Sequence, residues 1–253
     1  MNELTLENLN SWFDHYSQGF LSGNPEINRN IQFKIDHTDR VRENIIAIAH
    51  SLDLSANNLR IAELIGLLHD VGRYEQFIKY GTYRDDISED HAELGLKVLA
   101  DNQLLNDLSD EEKNIVETAI RCHNKYSLPQ ELSTDSLMFC KLIRDADKLD
   151  IFKQIINEIE SLSERSESSP EVIESILKGK GVSYSGVKST IDLILMRMSW
   201  VLDINYGLTL RKIRDMKYLE RMVDKLPKTE DIRNVYDYLN TYLERRRLGE
   251  RVK

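Results

Sequence analysis

The chain has 253 residues, 41% of them hydrophobic and 30% charged, and carries a formal net charge of -9. That composition points to a soluble globular protein with apolar content for one sizeable core. The acidic balance, with no dominant basic patch, argues against broad binding to a nucleic-acid backbone but leaves room for a phosphorylated small molecule, because a bound metal ion can supply local positive charge.

Only 4 Pro and 11 Gly interrupt the chain, and the apolar residues recur at helical spacing, so the expected fold class is all-α. The expected organisation is a single helical domain over 1–253, with a core at 34–152 and a carboxyl-terminal helical extension at 170–253. Cys122 and Cys140 form no CxxC pair and read as small buried hydrophobes in a reducing setting. The first residues lack a basic, then apolar, leader pattern, and no run reaches membrane-spanning length, so a cytoplasmic location and no membrane partner are expected.

Residues 4 to 20 predict an amphipathic helix presenting Leu9, Trp12, Phe13, Tyr16 and Phe20, with His15 as filling. The polar stretch SGNPEINRN at 22–30 reads as a loop. A second helix is expected from about Asp36 to Leu52, placing His37 at its start; His50, thirteen residues on, falls on the opposite face and roughly 20 Å along the axis, too far to share a metal with His37.

The stretch Ile61 to Arg73, IAELIGLLHDVGR, is an apolar helix that delivers His69 and Asp70 side by side from buried backbone, with Gly72 closing it. Ionisable groups placed there need a partner to offset desolvation, and a metal ion suits a nitrogen ligand beside a carboxylate. Residues 74–88 have mixed periodicity and read as a loop forming a pocket wall or covering the core. Ser88 is the expected cap of a helix carrying His91 in its first turn. Ser109 and Glu112 make a capping box for a helix ending near His123.

The next helix, about Asp135 to Ile159, sets Asp147 and Asp150 three apart. Residues 161–169 read as a polar connector, and Ser169-Pro170 as a cap with proline at the first helical position. A very apolar helix is expected at 189–205, with Asp192, Arg197 and Asp203 as a buried salt bridge or supporting network, structural in preference to functional. The remainder from Thr209 is read as helical, broken at Pro227, ending in a solvated charged tail ERRRLGERVK.

His37, His69, Asp70, His91, His123 and Asp147 are therefore the candidate metal ligands. Spacing alone leaves open whether they share a metal, since a chance scatter of histidines looks similar. The sequence around them resembles the HD-domain metal-dependent phosphohydrolases: HTDRV at His37, LLHDVGR at the doublet and DADKLD at Asp147, over about residues 34–152. The resemblance implies an all-helical fold, a first ion on His37, His69, Asp70 and Asp147, and a second ion on His91 and His123 with Asp70 bridging. It departs from two branches of the family, because neither the GYP motif of the cyclic-di-GMP enzymes nor the HDxxED pattern of the alarmone hydrolases is present.

Two such ions can generate a hydroxide between them and neutralise phosphoryl oxygens. Mixed imidazole and carboxylate donors favour Mn, Fe, Co, Ni or Zn over Mg, as one or two divalent ions. The expected function is hydrolysis of a phosphoester or phosphoanhydride of a nucleotide-like small molecule, with Asp70, Arg73, His91 and His123 in catalytic roles. Arg73, Arg84, Lys125, Lys148 and Asp150 are the expected substrate-side residues. Tyr74, Tyr80 and Tyr83 are weaker candidates for stacking on a base. The alternative is a non-catalytic sensing or scaffolding module with a retained metal; homo-oligomerisation is left open.

Overall fold

The computed structural model describes residues 1, 3–158 and 167–247, and among them every regular element is a helix. The chain divides at Asp147 into two compact units, Met1–Asp147 and Lys148–Lys253.

The first unit holds α1 (Glu3–Gln18), α2 (Pro25–His50), α3 (Ala56–Leu68), α4 (Gly72–Tyr80), α5 (His91–Asp101), α6 (Asp110–Cys122) and the start of α7 (Thr134–Glu158). The stretch read as a loop is the beginning of α2: Asn24 accepts from the amides of Glu26 and Ile27, and Pro25 occupies the first turn, where its missing N–H costs nothing. Ile31, Val41, Ile45 and Ile48 line the buried face of α2. His37 therefore lies in mid-helix and not at a helix start.

Ser55 caps α3. Where α3 crosses α2, a Cβ on Gly66 would come within 2.9 Å of the Ile45 side chain and 3.2 Å of the Arg42 Cα, so this contact depends on glycine. The stretch read as a loop at 74–88 is largely α4, followed by a 3-10 turn at Asp85–Ile87. Tyr74 is buried against Phe13, Tyr16 and Phe20, with ring centroids 5.6 to 6.0 Å away, which takes its face from any ligand base. Gly72 opens α4, and the helix before it ends at Leu68.

Asp90, not Ser88, caps α5, accepting from the Ala92 amide. The capping box of Ser109 and Glu112 is formed at the start of α6. His15 and His50 are exposed, and Cys122 and Cys140 are buried and free.

The second unit contains the remainder of α7, then α8 (Pro170–Leu177), α9 (Thr190–Ser199), α10 (Gly207–Asp215), α11 (Tyr218–Val223) and α12 (Glu230–Arg247), with 3-10 turns at Tyr184–Gly186 and Trp200–Asp203. Phe152, Ile176, Leu195, Met198, Val201 and Leu239 are central to its core. The helix read at 189–205 is α9 continued by the second of these turns.

Asp192 is fully buried, but as an acceptor and not as an ion pair. It takes hydrogen bonds from the Ser169 amide (2.7 Å), the Ser169 hydroxyl (2.7 Å) and the Lys188 amide (3.0 Å), tying the entry of α8 to that of α9. Asp203 pairs with Lys148. The connector at 161–166, Ile159 and the tail from 248 lie outside the described residues.

Candidate metal centre

Burial sets up the centre before any side chain is considered. Ile61, Leu64, Ile65, Leu67 and Leu68 are each 2% exposed or less, so α3 runs through the core and its end delivers His69 and Asp70 into the interior. His37 comes from the middle of α2, His91 from the first residue of α5, His123 from the end of α6 and Asp147 from α7. All six belong to the first unit.

They meet around the Asp70 carboxylate. Its Oδ2 lies 3.5 Å from His37 Nε2 and 3.8 Å from His69 Nε2, and its Oδ1 lies 3.3 Å from His91 Nε2 and 3.7 Å from His123 Nε2. Asp147 Oδ1 is 3.2 Å from His37 Nε2. Two groups with metal-ligand spacing result, His37–His69–Asp70 and Asp70–His91–His123, sharing one carboxylate.

The far side of three rings is fixed. His69 Nδ1 is 2.8 Å from the Gly66 carbonyl and His123 Nδ1 is 2.7 Å from the Ile120 carbonyl, each three residues back in its own helix. His91 Nδ1 is 2.7 and 2.9 Å from the two oxygens of Asp85. These partners only accept, so Nδ1 carries a proton in each ring and it is Nε2 that is turned toward Asp70.

That arrangement fits a cation. His69 Nε2 is buried without a hydrogen-bond partner, and the Nε2 atoms of His91 and His123 converge to 2.9 Å of each other. A borderline metal ion is the partner that such ring nitrogens and a carboxylate suit.

Electrostatics agree. Burial drives the His69 pKa down to about 4, against the attraction of Asp70 and Asp147, so this ring is neutral and ready to bind. Burial would raise the Asp70 carboxyl, but the Lys34 ammonium and the Arg73 guanidinium hold it well below the usual carboxylate range. Burial is likewise outweighed at Asp147 by the hydrogen bond and charge of His37.

The expected substrate-side cations all have carboxylate partners. Arg73 Nη1 is 2.8 Å from Asp85 Oδ1 and 2.8 Å from Gln76 Oε1, and its Nε is 3.5 Å from Asp70 Oδ1. Arg84 pairs with Asp86 at 2.6 Å in solvent, and Lys125 pairs with Asp90. Lys148 and Asp150 fall in the second unit, where Lys148 pairs with Asp203 and Asp150 accepts from Gln154.

Sequence reasoning missed several residues at the centre. Lys34 Nζ is 2.8 Å from Asp70 Oδ2 and 5.1 Å from the Tyr83 ring centroid; its signal is the three-residue step to His37, visible only once α2 is known to start at Pro25. Arg144 donates from Nη1 to the carbonyls of Cys122 (3.2 Å) and His123 (3.3 Å), anchoring the end of α6. Asp85 gathers His91, Arg73, Gln76 and Asn124. Asp85, Asp90 and His91 also have metal-ligand spacing, but the Asp90 oxygens already accept from Ala92, Asn124 and Lys125.

Residues 35–152 match the family model described as the HD domain. Searches of curated proteins and of solved structures gave no match. Among the described residues, no helix is long and apolar enough to cross a membrane.

Proposed function

We propose that this chain, which carries an HD domain over residues 35–152, is a phosphohydrolase with a dinuclear metal centre, acting on a phosphoester or phosphoanhydride of a nucleotide-like small molecule. The observation that carries the reading is the division of Asp70, one oxygen toward His37 and His69 and the other toward His91 and His123. His37, His69, Asp70 and Asp147 would hold one ion, and Asp70, His91 and His123 the other. When bound, such ions supply Lewis acidity, activating water and neutralising phosphoryl oxygens. The donor set favours manganese, iron, cobalt, nickel or zinc over magnesium.

The chain's own residues have defined tasks in this scheme. The carbonyls of Gly66 and Ile120 and the Asp85 carboxylate keep protons on the Nδ1 atoms, so the Nε2 lone pairs stay available. Lys34, with its ammonium beside Asp70, is the cation placed to meet an anionic substrate. Burial excludes bulk water from all four histidines, each 5% exposed or less, which strengthens every charge interaction there.

The experiment is metal content per chain, followed by phosphate release from nucleotides, cyclic dinucleotides and dinucleoside polyphosphates with manganese added. Two ions and turnover of one class support the reading, and Asp70→Ala should lose both ions and about 10²- to 10³-fold or more in rate, the scale on which transition-state charge stabilisation is lost. Turnover unchanged in Asp70→Ala would refute it. The pairing of Arg73, Arg84, Lys125 and Lys148 with carboxylates favours a second reading, a sensing module with a retained metal, whose mark is bound metal without turnover of any class.

A further inference from the structure

Four histidines face Asp70, and the support behind their rings differs in a way that separates the two halves of the centre. His69 and His123 sit at helix C-termini, where carbonyls of the last turn are open to side-chain donors, and each ring uses one such carbonyl to fix its Nδ1. His37 is held within α2 beside Asp147. His91 is the first residue of α5, and a helix N-terminus offers N–H groups, not carbonyls. Its Nδ1 therefore needs an acceptor from outside its own helix.

Asp85 is that acceptor, and it is built for the task. It lies in the 3-10 turn Asp85–Ile87, with oxygens 2.7 and 2.9 Å from His91 Nδ1. Three further donors fix the carboxylate: Arg73 Nη1 at 2.8 Å, Gln76 Nε2 at 2.9 Å and Asn124 Nδ2 at 3.2 Å. Gln76 is fully buried and also donates to the Ser88 hydroxyl and the Glu89 carbonyl, so it locks the turn itself. The neighbouring Asp86 has the same chemistry and none of these contacts; it faces solvent with Arg84.

We propose that Asp85 is the positioning residue that makes the centre dinuclear: it orients His91 for the second ion, and the first ion's ligands stand without it. Arg73 belongs to the same device, bracing Asp85 from α4 with its Nε toward Asp70 Oδ1. This rests on the two-ion reading above. A carboxylate behind a ligand imidazole typically changes metal affinity 10- to 100-fold, and here the effect falls on one ion of two.

The test is calorimetric titration of the full chain with manganese alone, together with electron paramagnetic resonance of the loaded protein. Wild type should take two ions and show a spin-coupled pair. Asp85→Ala should keep the first ion at unchanged affinity, weaken the second by roughly 10- to 100-fold, and replace the coupled signal by that of isolated manganese. Asp85→Asn keeps an acceptor of the same shape without its charge and should fall between, which guards against misfolding of the alanine variant. Asp86→Ala should match wild type.

Two ions at wild-type affinity in both Asp85 variants would overturn the proposal, as would equal loss of both ions with helix content retained. A wild-type chain that takes only one ion would overturn the dinuclear reading itself, and this inference with it.

Discussion

Replacing Gly72 by alanine would put a methyl carbon 2.3 Å from the carbonyl oxygen of His91 and 2.5 Å from the amide nitrogen of Gly95. Those two atoms stand in the i to i−4 relation of α-helical pairing, one step after the Leu94 amide to Asp90 carbonyl bond that opens α5, so the methyl group lands on the opening turn that carries a candidate ligand. Restoring the shortest contact to 3.0 Å requires a displacement of 0.7 Å, and both obstructing groups are backbone. No rotamer change relieves that, so α4 and α5 must separate. Overpacking of this kind costs about 1–3 kcal/mol, and with two backbone contacts the upper end applies. Metal-ligand distances tolerate only about 0.2 Å, so His91 leaves its ligating position. Gly72→Ala should thus lower the urea midpoint of the metal-free chain by an amount equivalent to roughly 3 kcal/mol and weaken the second manganese ion by at least about tenfold. A variant with wild-type midpoint and wild-type affinity for both ions would refute the argument that α4 and α5 meet backbone to backbone at this glycine.

Stability of the metal-free chain should depend on pH through His69. Its folded pKa, about 4, lies below its ordinary 6.5, so the contribution is complete above pH 6.5 and is lost as pH falls toward 4, about 3 kcal/mol in all at 1.36 kcal/mol per unit; a flat urea midpoint between pH 7 and 4.5 would contradict this. Below about pH 4 the depressed carboxyls of Asp70, Asp85 and Asp147 act in the same direction. Lys34→Met should tighten manganese binding several-fold, because the ammonium 2.8 Å from Asp70 Oδ2 opposes a second cation there; weaker binding in that titration would mean that Lys34 supports the ligands and does not compete with the metal. Asp192→Ala should cost the second unit about 3 kcal/mol, since two backbone amides and a hydroxyl lose their acceptor, and Asp192→Asn should lose less in the same thermal melt.

What the sequence made legible was local. The capping box of Ser109 and Glu112, the proline opening α8 and the apolar run into His69 each carry their signal within a few residues, and each formed. The start of α2 was hidden because Asn, Pro and Glu mark a helix N-terminus and a loop with the same residue types, so Lys34 went unnoticed. α4 was hidden because nine residues give only about two and a half turns of periodicity. Asp85 and Asp86 are indistinguishable by type and neighbourhood. What separates them is His91 six residues on and Gln76 nine residues back, distances that only the fold closes. The carboxylates that engage Arg73, Lys125 and Lys148 come from 12, 35 and 55 residues away, beyond any local pattern. Nor does composition change at Asp147, where the first unit ends inside a continuous helix.

His69 and His123 each satisfy a carbonyl in the last turn of the helix they terminate while their other nitrogen faces Asp70. Helix ends ordinarily fray with little free energy, on their own schedule. Here fraying of α3 or α6 swings an imidazole away from Asp70, so unwinding at the helix end and opening of the site are a single event. An ion held by the imidazole must then slow amide hydrogen exchange in those two last turns, making backbone protons there a direct gauge of how tightly the centre is closed.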